Sequence, residues 1–171
     1  MCAAAGLRLN SSVRQPASDG RERSDPMVLE LIATLCTALF AGAAIYINLV
    51  EHPARVETGT SAAVLQWRPS YRRATVMQAS LAAIGLVSAI GAWLLGRGLA
   101  VLAAGLLIGS VIPLTLIVIF PTNRALEDPK LDIASARAGE LLAKWNRLHA
   151  LRTAASLGAL VIFLLHLAGL L

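Results

Sequence analysis

The sequence predicts an all-α fold, a bundle of four transmembrane helices, from its composition, the gaps in its charge and the length of those gaps. Hydrophobic residues make up 57% of the 171 positions and charged ones 15%, a balance too apolar for an ordinary soluble domain. Asp, Glu, Lys and Arg are missing from Leu31–Val50, Ala74–Gly96, Gly98–Asn123 and Thr153–Leu171, stretches of 20, 23, 26 and 19 residues. A helix rising about 1.5 Å per residue needs roughly 20 apolar residues to cross about 30 Å of hydrocarbon, so each stretch fits one span.

The elements follow in order. Residues 1–26 include NSSVRQPASDGRERSDP, which is polar, carries Pro, Gly and Ser and has no periodicity; a disordered tail is expected. It lacks the apolar core of a cleaved signal peptide. Met27, at the edge of the first apolar run, is an alternative start that leaves the tail untranslated. The membrane domain is then 27–171. Cys2 and Cys36 are the two cysteines; one lies in the tail and the other mid-helix, so no disulfide is expected, and no Cys/His spacing suggests zinc. Small residues at Thr34/Ala38/Gly42, Gly85/Ala89, Gly105/Gly109 and Ala154/Gly158 allow close helix approach. Pro113 lacks the N–H that would bond to the Gly109 carbonyl, so a kink is expected in the third helix, with Ser110, Thr115 or a neighbouring helix satisfying the freed group. A short amphipathic helix is expected in the loop between helices three and four.

Two charged loops, Glu51–Arg73 and Arg124–Arg152, leave on one membrane side, whereas the middle connection is little more than Arg97. They hold ten of the fifteen basic residues. The positive-inside rule then places them in the cytoplasm and both termini outside, for a multi-pass protein of a bacterial inner membrane. A net charge of +5 without a basic aromatic platform gives no reason to expect nucleic acid as a partner; membrane lipid is the expected surrounding, and a homo-oligomer stays open.

The fourth helix opens with KWNRLHALRTAAS. At 100° per residue Trp145, His149, Arg152 and Ser156 share a stripe about 60° wide. Taken singly, Trp145 and Arg152 suit anchoring at the headgroups. Their company points elsewhere, because the same membrane face receives YINLVEHPAR, WRPSYRR and PTNRAL, with Asn48, Glu51, His52, Tyr71 and Asn123, whereas the opposite face has Glu30, Arg97 and His166. Polar groups near the hydrocarbon are costly, so this asymmetry suggests a polar pocket under the first loop.

FAGAAIYINLVEHPAR, WRPSY, IPLTLIVIFPTNRAL and WNRLHALRT resemble segments of the anthrone oxygenase-like membrane proteins, a family known largely as a domain of unknown function. The resemblance spans roughly Val28 to Leu171. It implies an oxidoreductase acting with O2 on a small aromatic substrate. The residues it implicates are His52, His149, Arg152 and Asn123 for catalysis, and Asn48, Tyr71 and Trp145 for binding the substrate.

Oxygenation of an anthrone needs a base to form a carbanion at the doubly benzylic carbon. His52 or His149, mostly neutral at neutral pH, suits that role, and Arg152 or Asn123 suits stabilisation of the oxyanion. No phosphate-binding glycine motif for a flavin or nicotinamide occurs, and the cofactor stays unknown. Glu51, His52 and His149 offer two nitrogens and a carboxylate, ligands that iron or copper accepts. The alternative is a non-catalytic protein that binds a lipid or small molecule or acts as an assembly partner. Against transport, no span holds an acidic residue deep in the core.

Overall fold

The structure, a computed structural model, describes residues 19–171, with side chains from Asp25 onward. The expected disordered tail lies outside the described residues for 1–18, as does Cys2. Helix α1 (Asp19–Tyr46) begins ahead of the expected boundary at Met27 and carries Pro26 within it.

α1 continues through a π turn (Ile47–Glu51) into α2 (His52–Glu57), and α3 (Thr60–Leu94) follows. The third span comprises α4 (Gly98–Gly109), α5 (Val111–Leu114), a second π turn (Thr115–Ile119) and α6 (Phe120–Glu127); α7 (Ala136–Leu167) completes the chain. Four segments, Asp25–Glu57, Thr60–Leu94, Gly98–Glu127 and Ala136–Leu167, are long and apolar enough to cross a membrane. The charge-free runs form helices because only intrahelical bonds satisfy a spanning backbone where water is missing. Among the described residues there is no strand.

Each span packs on its sequence neighbours, and the first and fourth close the ring. The interior falls into three layers. Trp67, Ile119, Leu126, Leu142 and Trp145 lie at the end where the charged connections emerge, Phe40, Ala82, Ile108, Val111 and Ala159 at the middle, and Ala33, Ala89, Ala104 and Phe163 at the other end. Alanine is frequent in the middle and far layers because lipid-embedded helices gain from close packing rather than from hydrophobic exclusion. Gly105 shows how close: a Cβ there would come within 2.4 Å of Ala89 Cβ, and one at Gly109 within 2.8 Å of Leu86 Cδ2. Gly85 makes only ordinary contacts, and Gly42 faces open space. The Gly105/Gly109 face is therefore spent on α3 within the chain.

The connections differ from a loop reading. Glu51–Arg73 is helical except at Thr58 and Gly59, where a φ of 92° at Gly59 turns the chain in a conformation that side chains disfavour. The charged residues ride on helical extensions beyond the apolar run, which a charge count cannot tell from a loop. The expected amphipathic helix between the third and fourth spans is not a separate element: Asp128–Ser135 forms turns. Asp128 and Asp132 side chains accept from the backbone N–H groups of Lys130 (2.8 Å) and Ala134 (3.0 Å), the Asx geometry that competes with helix. Ser135 then caps α7 by accepting from Ala138 N–H.

Around Pro113 the α-helical register breaks at Ser110 and widens at Thr115–Ile119. Ser110 Oγ donates to the Leu107 carbonyl and Thr115 Oγ1 to the Val111 carbonyl, so neither hydroxyl takes the Gly109 carbonyl. Each π turn is followed by a helix with proline in its first turn, Pro53 and Pro121. A proline ring lacks the N–H for the i−4 carbonyl and clashes with it. The ladder shifts instead to i−5, His52 N–H to the Ile47 carbonyl and Phe120 N–H to the Thr115 carbonyl, which is the π geometry.

Candidate functional site

The first π turn carries Asn48, and the backbone resumes at His52, 4% exposed. The second leads to Thr122 and Asn123, both buried. From the fourth span come Trp145, His149, Arg152 and Ser156, all buried, so the stripe faces the bundle interior and not the headgroups.

Asn48 organises the first contact. Its Nδ2 donates to the Asn146 carbonyl (3.2 Å) and to Asn146 Oδ1 (2.7 Å), which fixes Oδ1 as the acceptor. Oδ1 receives the Thr153 hydroxyl and lies 3.0 Å from His149 Nδ1. The network therefore assigns the proton of neutral His149 to Nδ1 and leaves Nε2 as the basic nitrogen. Nε2 has no hydrogen-bond partner among the described residues. Fixing one ring nitrogen to define the other is how proteins prepare an imidazole as a base.

Aromatic rings build the wall beside it. Trp145 lies 4.9 Å from the His149 ring and 5.6 Å from that of His52. Its indole meets Trp67 edge to face at 5.7 Å, and Trp67 stacks on Tyr71 at 4.8 Å. The Tyr71 hydroxyl accepts from Asn123 Nδ2 at 3.0 Å.

Electrostatics sets the site apart. Arg152 is 8% exposed, its Nη2 donates to Gln78 Oε1 at 2.7 Å, and its guanidinium lies 5.2 Å from the centre of the Phe40 ring. No carboxylate pairs with it among the described residues. Arg55 does have one: Glu51 receives Arg55, the Ser70 hydroxyl (2.8 Å) and Gln66 Nε2 (3.1 Å). Arg152 pairs with neither Glu51 nor Asp132, acidic residues of the same membrane face. A guanidinium without a carboxylate inside an apolar bundle is expensive to bury, which makes this position a candidate functional location.

A small cavity of about 20 Å³ lies where these groups meet, lined by Arg55, Trp67, Tyr71, Gln78, Trp145, His149 and Arg152 among others; such a volume admits about one water. Four of its residues present buried N–H groups that have no acceptor among the described residues: Arg55 Nε and Nη1, Trp67 Nε1, Gln78 Nε2 and Arg152 Nε. Buried donors are ordinarily paired, so five without an acceptor on residues that line one cavity form a surplus of donors around it.

Of the residues expected from the sequence, Tyr71, Trp145, His149 and Arg152 line this cavity, Asn48 holds His149 from behind and Asn123 reaches it through Tyr71. His52 does not line it; it opens onto an outer groove of about 430 Å³ between Thr60, Ala63, Gly139 and Ala143. The iron or copper set of Glu51, His52 and His149 does not assemble, because Glu51 is engaged by Arg55, Gln66 and Ser70. Among the described residues no three His, Cys, Asp or Glu side chains group to hold a metal ion. Arg55 and Trp67 lie in the segments that the sequence brings to this face but are not among the expected site residues, and Gln78 was missed altogether. Gln78 left a signal, being the one amide side chain within the charge-free stretch Ala74–Gly96.

Residues 67–162 match the family model described as Anthrone oxygenase. That segment takes in every cavity residue named above except Arg55, and leaves out Asn48 and His52. No curated protein and no solved structure matches the chain.

Proposed function

The chain belongs to the anthrone oxygenase family, and from that membership together with the cavity we infer that it oxidises a small phenolic aromatic of the anthrone type with O2. The observation that carries this reading is the pairing, in one cavity, of a base fixed by Asn48 with a guanidinium that has no carboxylate partner. A carbon acid beside a conjugated carbonyl needs those two groups, one to take the proton and one to hold the charge that appears on oxygen.

In the proposed reaction His149 Nε2 takes a proton from the methylene carbon, and the electron pair moves onto the carbonyl oxygen, which Arg152 stabilises. That electron-rich anion reduces O2 and a C–O bond forms. The oxygen-bearing carbon acquires a hydroperoxide, its outer oxygen protonated by the imidazolium. Loss of the remaining C–H proton then breaks the O–O bond, leaving a carbonyl on carbon and releasing the other oxygen as water. Carbon gives four electrons and O2 accepts four. Trp67, Tyr71 and Trp145 offer flat surfaces to a flat substrate, and Asn123 sets the direction of the Tyr71 hydroxyl.

The ten basic residues around the site's connections support a cytoplasmic orientation in a bacterial inner membrane. Arg152 provides the test. The product analogue 1,8-dihydroxyanthraquinone changes colour when its phenol ionises. Bound to the wild-type protein in nanodiscs, it should ionise at a pH lower by about one to three units, the effect of a nearby opposite charge. Arg152→Gln should remove most of that shift. An equal shift in both proteins contradicts the assigned role of Arg152. Binding of the probe without any oxygen uptake by the anthrone would instead favour the non-catalytic binding reading.

A further inference from the structure

We propose that the substrate enters this site sideways from the hydrocarbon layer, through a recess between the second and third spans, and that the Gln78–Arg152 contact is the gate it displaces. The inference rests on the oxygenase reading for the identity of the ligand, but not for the route.

The cavity beside His149, at about 20 Å³, is far too small for a three-ring aromatic, so binding requires it to join a neighbouring space. Two spaces share lining residues with it: a surface groove beside Gln66, Pro69, Arg73 and Met77, through Ser70 and Ala74, and a recess of about 90 Å³ whose lining includes Ala79, Val111, Ile112 and Leu116. Of the two, the recess is the one bordered by Gln78 and Arg152. The side chains of Thr75, Gln78 and Arg152 are shared by the cavity and the recess. The outer lip is at the lipid-facing surface, for Leu116 is 61% exposed and Ala79 is also exposed. Apart from Thr75, Gln78, Thr115 and Arg152 the recess lining is apolar, as a passage for a hydrocarbon-soluble ring system should be.

Two features make the partition openable. Arg152 and Gln78 are joined by a single hydrogen bond of 2.7 Å, while Gln78 Nε2 and Arg152 Nε have no other acceptor among the described residues. An incoming ligand oxygen replaces what the pair loses. The third span is also least regular here: Thr115 and Leu116 of the π turn Thr115–Ile119 line the recess, and next to Pro113 the i−4 ladder does not hold the helix to one packing. The Phe40 ring under the Arg152 guanidinium gives the displaced cation a surface to rest on. The outer groove beside His52 is the rival route. It shares no lining residue with the cavity.

The experiment measures the association of 1,8-dihydroxyanthraquinone with the full chain in liposomes by quenching of tryptophan fluorescence. The association rate should follow the probe's mole fraction in the bilayer as lipid is varied at fixed total probe. Ala79→Phe, at an exposed position of the recess, should slow association about tenfold or more, and Leu116→Trp, a second exposed recess position, should slow it likewise. Ala143→Phe, in the outer groove, should leave it unchanged. Helix content and size-exclusion profile identify any variant that fails to fold. Slowing by Ala143→Phe with no effect of either recess variant overturns the proposal, as does failure of the wild type to bind the probe. Binding that follows the recess pattern in a protein that consumes no oxygen sinks the oxygenase reading and leaves the route standing.

Discussion

His149→Ala is expected to lower turnover of an anthrone by about 10² to 10⁴, the usual contribution of a positioned general base, while expression and helix content hold. The ring is 1% exposed, so its removal also costs packing, of the ordinary order of about 1–3 kcal/mol for a buried truncation. It orphans little, because Asn48 Oδ1 keeps the Thr153 hydroxyl. A readout that packing alone would not move separates the two effects. Added imidazole, small enough for the space the ring vacates, should restore part of the rate to His149→Ala and none to Arg152→Gln. Equal loss in both variants without rescue would point to a structural role for His149.

Glu30→Ala is expected to destabilise the protein by about 3–5 kcal/mol, the scale for removing one partner of a buried ion pair. Glu30 is fully buried at the end of the bundle away from the site. It receives Arg97 from the turn between the second and third spans and lies 2.6 Å from His166 Nδ1 of the fourth. One carboxylate thereby joins three parts of the chain, and its removal leaves Arg97 and His166 without their shared partner. Unfolding of the detergent-solubilised protein in increasing SDS, followed by circular dichroism, checks the size of the loss. Turnover per folded molecule should be unaffected, because the cluster touches no residue of the cavity. A loss below about 1 kcal/mol would place Glu30 among weak surface pairs.

The sequence revealed most where hydrocarbon imposes a single solution. Charge-free runs of helical length had to become spans, and Trp145, His149 and Arg152 on one narrow stripe had to face inward or carry their polarity into lipid. Three other features were hidden for separate reasons. The π turns at Ile47–Glu51 and Thr115–Ile119 depend on how the chain resolves a proline clash, which His-Pro and Phe-Pro hint at without fixing. The partners of Arg152 and Glu30 lie 74 residues away at Gln78 and 67 and 136 away at Arg97 and His166, so only helix packing decides them. His52 and His149 reach the same membrane face, yet the line between cavity and outer groove assigns them to different spaces. Topology brings residues to one end of a bundle; side-chain packing decides on which side of Trp145 they stand.

Catalysis of oxygenation by the cavity around His149 and Arg152 is read most directly from the fate of labelled O2. Purified protein in nanodiscs is given 1,8-dihydroxyanthrone under ¹⁸O₂, with empty nanodiscs as the control for spontaneous oxidation. The proposed chemistry predicts uptake of one O2 per quinone formed, one labelled oxygen in the new carbonyl, and a rate above the control that His149→Ala and Arg152→Gln remove. Quinone formation no faster than in empty nanodiscs, from protein shown to bind the dihydroxyanthraquinone, would contradict it.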